Sequence, residues 1–460
     1  MSRLFETRPG DDGLPGPQRR IAVIVLIFGT LMAVIDATMI NIALPSIARD
    51  LKVGASRVVW ITNLYQLVGA MSLIAFAALS ELVTRRLLYI AGLAMFALAS
   101  LGCALARDLE WLLMWRALQG LGAAAMLSIG PSLYRSIFPS RLLGSALGIS
   151  AMVVAFGYAS GPSLGGVVLA IADWPWLFAL NVPVGVVVGL LAWRALPREE
   201  RRSGGFDLLG ALLSAVALGA LVVAMDGVGH GAGTLQLFGL LLLGGGSGWA
   251  FVLRQRRVTH PLLPLSIFAE VRFSMAAVVS GLAFVAQGLA FVCLSFLYQN
   301  VMGYTPLETA WLFTPWPLVI MMVAPLAGRI ADRVEPAMLA SLGLGILLLG
   351  LVSLALLEAN AAVIDILWRT ALCGLGFGLF QSPNNREFMA SVPRTFSASA
   401  SGVLSTVRTF GQSLGVALVG LVLAWPQGNV QAALWLGSAA GLSALLVSLG
   451  RLRLRPTSQT

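Results

Sequence analysis

Residues 21–44 read IAVIVLIFGTLMAVIDATMINIAL. A single charged side chain, Asp36, interrupts a run that is otherwise apolar or weakly polar. As a helix rising 1.5 Å per residue the run is about 36 Å long, enough to cross a hydrocarbon layer of about 30 Å. A helix apolar on all sides needs lipid or a very large core around it. Comparable runs continue outward along the chain, at 58–79, 87–106, 111–133, 144–170, 175–196, 207–226, 234–253, 273–298, 307–328, 337–357, 362–383, 399–424 and 429–450. That makes about fourteen spans. With 58% hydrophobic and 11% charged residues in 460, and a mean hydropathy of +0.88, the apolar surface exceeds what one soluble core could hide. An all-α polytopic membrane protein follows, with no room for a sizeable soluble domain.

The formal charge of +10 does not mark a nucleic-acid binder, because the positives are dispersed among short hydrophilic breaks. They alternate instead. Arg3, Arg8, Arg19 and Arg20 precede the first span, and Arg85, Arg86, Arg135, Arg141, Arg194, Arg198, Arg201, Arg202, Arg254, Arg256, Arg257, Arg272, Arg329, Arg333, Arg386, Arg394, Arg451, Arg453 and Arg455 share its side. The other side has only Arg49, Lys52, Arg57 and Arg107. By the positive-inside rule both termini are cytoplasmic and the span number is even. The polar, Gly/Pro-rich first twenty residues lead to no small-residue cleavage site, so the first run is expected to remain as an uncleaved span in the cell's inner (cytoplasmic) membrane.

Cys103, Cys293 and Cys373 fall inside apolar runs without the spacing of a metal or disulfide framework. His230 and His260 stand apart in loops. The sequence therefore predicts no metal site, no cofactor and no enzyme, since no His, Cys, Asp and Glu cluster, Ser/His arrangement or phosphate loop is present.

An internal repeat divides the chain. Pro139, Gly148, Gly157, Gly161 and Gly166 recur 254 residues later as Pro393, Gly402, Gly411, Gly415 and Gly420. Trp115-Arg116 with Gly120-Leu121-Gly122 is echoed by Trp368-Arg369 with Gly374-Leu375-Gly376. Duplicated bundles around a central site are a common transporter plan. The expected organisation is a cytoplasmic tail 1–20, a six-helix bundle 21–196, a linker with a transmembrane hairpin 197–271, a second six-helix bundle 272–451 related by pseudo-twofold symmetry, and a tail 452–460. The hairpin has few polar interior residues and reads as an accessory tether.

Ionisable groups inside a membrane are costly and invite functional readings. Asp36 lies about 22 Å above the cytoplasmic end of span one, and Arg116 about 9 Å below the outer end of span four, so the two share a level. Burial favours the protonated form of a carboxyl and a nearby guanidinium favours the ionised form, so hydration or cargo can switch between them. A static ion pair that fixes two helices is the alternative. Gln119, one turn from Arg116, can bond it or a ligand. With Thr38 and with Gln287, which lies as deep in span nine as Asp36 does in span one, these residues form the candidate cavity. Asp226 and Asp365 lie near span ends and read as peripheral.

In span five, Gly148, Gly157, Gly161-Pro162 and Gly165 leave one helix face bare, which permits close packing, while Pro162 withdraws a donor and permits bending. Packing alone is the simpler reading of that face.

These motifs resemble the major facilitator superfamily, in particular its fourteen-span drug:proton antiporter branch. Asp36-Ala37-Thr38 through Asn41-Ile42-Ala43-Leu44-Pro45 resembles that branch's first-span signature, and Arg116 through Gly122 its fourth-span motif, whose arginine is implicated in proton transfer. The glycines of span five match the antiporter motif at each spaced position, Trp176 with Asn181, Val182 and Pro183 looks like the sixth-span signature, and Gln299 to Pro306 resembles a loop common in the branch. The loop after span two departs: Ala77-Ala78-Leu79-Ser80-Glu81 and Thr84-Arg85-Arg86 keep the carboxylate and the basic pair but lack both glycines, while Gly328-Arg329-Ile330-Ala331-Asp332-Arg333 is fuller. The resemblance implies a cytoplasmic gate at Glu81, Arg85, Arg86, Gly328, Asp332 and Arg333. It also implies alternating access, with protons exchanged for small lipophilic cargo, cations included, and leaves room for periplasmic or outer-membrane efflux partners. Export of one endogenous metabolite or siderophore is the alternative, and a membrane sensor is a more distant one.

Overall fold

The computed structural model describes residues 13–139, 142–197, 205–229, 231–259, 261–331, 333–393, 396–425 and 429–453. His230, His260 and Asp332 lie outside these, as do the side chain of Glu81 and the surroundings of Gly148. Among the described residues, fourteen helical spans are long and apolar enough to cross a membrane. Their main helices are α1 (Gly16–Asp50), α2 (Trp60–Leu82), α3 (Arg85–Leu105), α4 (Leu109–Ile137), α5 (Leu143–Ile171), α6 (Asn181–Ala195), α7 (Leu208–Gly229), α8 (Thr234–Gln255), α9 (Val271–Phe296), α10 (Pro315–Ile330), α11 (Pro336–Ala355), α12 (Val363–Ala390), α13 (Ser397–Ala424) and α14 (Val430–Arg451), with the spans of α6 and α10 beginning earlier, at Pro175 and Pro306. The chain is a multi-pass membrane protein, and no strand occurs among the described residues.

Local chemistry sets the helix ends. Thr84, Asp108 and Asn429 each cap a helix by accepting a backbone N–H three residues on, which satisfies a donor the helix leaves free. Thr305 and Glu308 form a reciprocal capping box at the two-turn lead-in Pro306–Phe313. Two spans read as continuous in the sequence are interrupted at a single residue each. The lead-in Pro306–Phe313 parts from α10 at Thr314, because Pro315 and Pro317 cannot donate to the preceding turn, while the Thr314 amide and hydroxyl both bond the Ala310 carbonyl. The lead-in Pro175–Ala179 similarly parts from α6 at Leu180, three residues before Pro183.

Helices α1 to α6 pack among themselves and α9 to α14 repeat the same pairings: α1 on α5 and α6 as α9 on α13 and α14, α4 on α2 and α3 as α12 on α10 and α11. The glycines of the repeat occupy matching places. Gly157 and Gly161 of α5 meet Val34 and Thr38 of α1, and Gly411 and Gly415 of α13 meet Gly281 and Val285 of α9. Between the halves, α7 lies against both α2 and α13, with Val222 sealed between Leu67 and Ala417 and the Trp60 indole donating to Asp226 at 2.6 Å. The tether therefore grips the seam of the two bundles, whereas α8 rests on α7 and shows its outer face to lipid.

With fourteen crossings both termini fall on one side, called here the terminus side. The hydrophobic core divides by depth. On the far side a single cluster runs through both bundles, from Met39, Ile47 and Val58 to Phe291, Trp316 and Val419. On the terminus side the bundles have separate cores, one around Leu26, Phe96 and Ile137 and another around Phe273, Phe388 and Val403. In the far half, hydrogen bonds tie the two bundles together: Gln299 to the Ile42 carbonyl at 2.8 Å, Ser163 with Thr314 at 3.1 Å, and Ser413 to Asn63 at 2.6 Å. The bundles are thus closed on the far side and parted toward the termini.

Candidate functional site

Two polar clusters occupy the middle depth. The first is sealed inside the α1–α6 bundle. Asp36 of α1 and Arg116 of α4 have no solvent exposure, and Arg116 Nη1 donates to Asp36 Oδ2 at 2.5 Å. The other carboxylate oxygen accepts from Gln119 Nε2 and from Asn181 Nδ2 of α6, each at 2.9 Å. Arg116 also donates to Gln119 Oε1 at 2.6 Å and, through Nε, to the Ile61 carbonyl at 3.0 Å. Its guanidinium lies 4.3 Å from the Tyr65 ring centre and 5.6 Å from that of Phe178. Ser100 of α3 accepts from Gln119 at 2.8 Å. A charge buried this far from water is tolerated only when paired and hydrogen-bonded, and this carboxylate has three donors on two neighbouring helices. One guanidinium nitrogen, Arg116 Nη2, is buried with no partner.

Thr38 does not join that cluster. Its hydroxyl bonds back to the Val34 and Ile35 carbonyls at 3.0 and 3.1 Å, and it stands where α1 meets Gly161 of α5. Gly157 and Gly165 continue the contact against Val34 and Met39, and Pro162 is buried beside them. Of the expected gate residues, Arg85 donates to Ser136 at 3.3 Å, and Arg86 bonds the Trp193 carbonyl and stacks over that ring at 5.2 Å. These bonds tie the start of α3 to α4 and α6 within one bundle. Gly328 packs against Ser382 of α12, and Arg333 is exposed on the terminus side.

The second cluster lies between the bundles. Tyr158 of α5 donates its hydroxyl to Gln412 Oε1 of α13 at 3.3 Å, and Gln412 Nε2 donates to Gln287 Oε1 of α9 at 3.3 Å. Tyr158 and Gln412 are 254 residues apart, the same offset as the glycine repeat. Two equivalent residues can touch only where the pseudo-twofold axis passes, so this contact marks the centre of the molecule. One turn before Gln412 stands Arg408, whose Nη2 donates to the Tyr158 hydroxyl at 3.4 Å and whose guanidinium lies 5.1 Å from the Tyr158 ring and 5.7 Å from Phe284.

The geometry therefore separates the expected cavity residues: Asp36 and Gln119 are enclosed in one bundle, and Gln287 lies at the interface. The expected pairing of Asp36 with Arg116 is present in the geometry, and Gln119 and Asn181 also bond the Asp36 carboxylate. Asn181 carries a further signal the sequence held, as part of the sixth-span signature. Arg408 was passed over by counting positives loop by loop, although it falls well inside the run 399–424.

The profile of the Major Facilitator Superfamily matches residues 26–416. An uncharacterized transporter, YebQ, of Escherichia coli K12 is 42% identical over 414 residues, covering 90% of this chain and 91% of that one. The multidrug efflux pump LfrA of Mycolicibacterium smegmatis is 31% identical over 427 residues, covering 92% and 84%. In fold, the chain is similar to a POT family transporter solved in complex with 5-aminolevulinic acid, with a TM-score of 0.71 at 15% identity over 98% of this chain and 99% of that one.

Proposed function

The chain belongs to the major facilitator superfamily of transporters, and from that premise we propose that it is a proton-coupled exporter of small lipophilic compounds, with its terminus side in the cytoplasm. The observation that carries the coupling is the sealed Asp36–Arg116 pair, 2.5 Å long and without exposure. Its bonds join α1 to α4 and α6. A proton reaching Asp36 from the far side cancels the carboxylate charge, so Arg116 Nη1, Gln119 and Asn181 lose their anionic acceptor and the tie on α1 loosens. Removing one charge from a buried pair shifts its energy by about 3–5 kcal/mol, ample to bias two packings that differ by a few.

The same helix transmits the change. Thr38, half a turn beyond Asp36, is wedged against Gly161 of α5, and α5 in turn contacts α10 and its lead-in across the bundle interface. Pro162 gives α5 a place to bend at that level. Rocking of the bundles then opens the far side and closes the cleft toward the termini. Cargo enters from the terminus-side cleft, and its exit on the far side is exchanged for the incoming proton. The direction of export is supported by the resemblance of the α5 glycines to the antiporter motif and by the efflux pump among the relatives.

Cells expressing the chain from a plasmid, loaded with a panel of lipophilic dyes, are expected to accumulate less of at least one dye than cells with the empty vector. A protonophore should abolish the difference. Extrusion that survives collapse of the proton gradient contradicts the coupling, and dye gain instead of loss contradicts the direction.

A further inference from the structure

We propose that Arg408 is the recognition group for an anionic substituent on the cargo, which makes the preferred substrates small organic anions with an aromatic or otherwise flat apolar body. This deepens the transport reading above and rests on it. Arg408 sits about 17 Å along α13 from Ser397, well inside the membrane. It is partly exposed where the bundles part. No carboxylate lies within ion-pair distance of it among the described residues, unlike Arg116, Arg369 and Arg451, which are all paired.

The guanidinium also has donors to spare. Its one hydrogen bond is the long contact from Nη2 to Tyr158, and Nε and Nη1 make none among the described residues. A planar fork with two free N–H groups matches a carboxylate or similar oxyanion, and a guanidinium stays charged at every physiological pH. The flanking rings of Tyr158 and Phe284 supply apolar walls for the rest of the molecule.

Position and bookkeeping of charge point the same way. The Tyr158–Gln412 contact places this group one turn from the pseudo-twofold axis, where the two bundles jointly enclose a ligand. The repeat puts Val154 at the equivalent place in α5, so the charge is specific to α13. Because Asp36 is neutralised within its own bundle, Arg408 leaves the central region with one uncompensated positive charge. When the bundles close over a cargo they withdraw the water around that charge, and an anionic substituent supplies the compensation that a neutral or cationic compound lacks.

The test uses the full-length protein in lipid nanodiscs and matched ligand sets: 2-naphthoate, 2-naphthamide and 2-naphthylmethylammonium, together with fluorescein and rhodamine 6G. A charge-assisted pair of this kind gives ~10- to 100-fold in affinity. The anion of each set is expected to bind tighter than its partners by at least that lower figure, with the preference erased in Arg408→Gln and partly kept in Arg408→Lys. Failure of any anion to bind more tightly than its matched partners in the unmodified protein, or a preference that survives Arg408→Gln, overturns the inference. Proteoliposome transport of the two dyes under a pH gradient separates the two readings. Gradient-driven transport without anion preference overturns the role of Arg408 alone, whereas anion preference at Arg408 without gradient-driven transport supports it and overturns the coupling.

Discussion

Replacing Gly161 by alanine puts a methyl group 1.8 Å from Thr38 Oγ1 and 2.8 Å from Thr38 Cβ, with the Ile35 carbonyl at 3.3 Å. Thr38 is 4% exposed and its hydroxyl holds the Val34 and Ile35 carbonyls. It can turn away only by giving up that bonding, worth about 1 kcal/mol, and turning leaves the Cβ contact in place whatever the rotamer. Overpacking of this kind costs about 1–3 kcal/mol, so Gly161→Ala is expected to destabilise by about 2–4 kcal/mol in all. Thr38→Ala removes the hydroxyl and the worst contact, and in the double variant it should restore more than half of the loss. Gly402→Ala is the control: nothing lies within 4 Å of its added methyl, and losing a helical glycine there should be neutral or stabilising by up to about 1 kcal/mol. The assay is a double-mutant cycle on thermal unfolding of the purified protein, with transport measured in parallel. Additive effects of Gly161→Ala and Thr38→Ala would refute the contact between α1 and α5 on which the transmission of the Asp36 signal depends.

Two further outcomes follow from other parts of the structure. Ser163→Cys with Thr314→Cys, whose hydroxyl oxygens now stand 3.1 Å apart, should form a disulfide under mild oxidation and hold the far side shut, stopping transport until a reductant is added; undiminished turnover with the bond formed would count against closure on that side. Asp207, just ahead of α7, is pushed up by burial but held lower still by hydrogen bonds from Arg254, the Gly210 amide and Gln255, so its carboxyl titrates below the ordinary value of 3.8. Its contribution to stability is therefore complete above that value and is lost as the pH falls through the lower folded one. The melting temperature of the unmodified protein should drop more steeply than that of Asp207→Asn in this acid range, and equal slopes would show that the cluster does not titrate as described.

Much of the fold was legible because lipid imposes one requirement on every span. Runs such as 21–44 and 337–357 could be nothing else, and the glycine repeat predicted which helices would stand in equivalent places. The breaks at Thr314 and Leu180 were not legible, since a proline in an apolar run is compatible with a kink, a break or a helix start. The pairing of Asp36 with Arg116 was anticipated from depth alone, because two residues at one level on neighbouring helices have little else to meet. Depth could not say which way they face. That depends on helix rotation, and it is why the acid proved to be enclosed by Gln119 and Asn181 rather than open to a cavity. Arg408 was visible as a charge inside a span, but that no carboxylate among the described residues pairs with it is a three-dimensional fact. The grip of α7 on both bundles was equally hidden, since Val222 and Asp226 look unremarkable until Leu67, Ala417 and Trp60 are placed around them.

The central claim is that Asp36 carries the proton that drives cargo across the membrane. Its direct measurement is pH-gradient-driven transport in proteoliposomes containing equal amounts of folded protein, unmodified and Asp36→Asn, using whichever dye the cellular panel identifies. Asn keeps the size of the side chain and one acceptor oxygen but cannot cycle a proton. The account predicts that the gradient drives accumulation in the unmodified protein and none in Asp36→Asn, while downhill exchange of dye for dye persists in the variant. Gradient-driven accumulation retained by Asp36→Asn would contradict it.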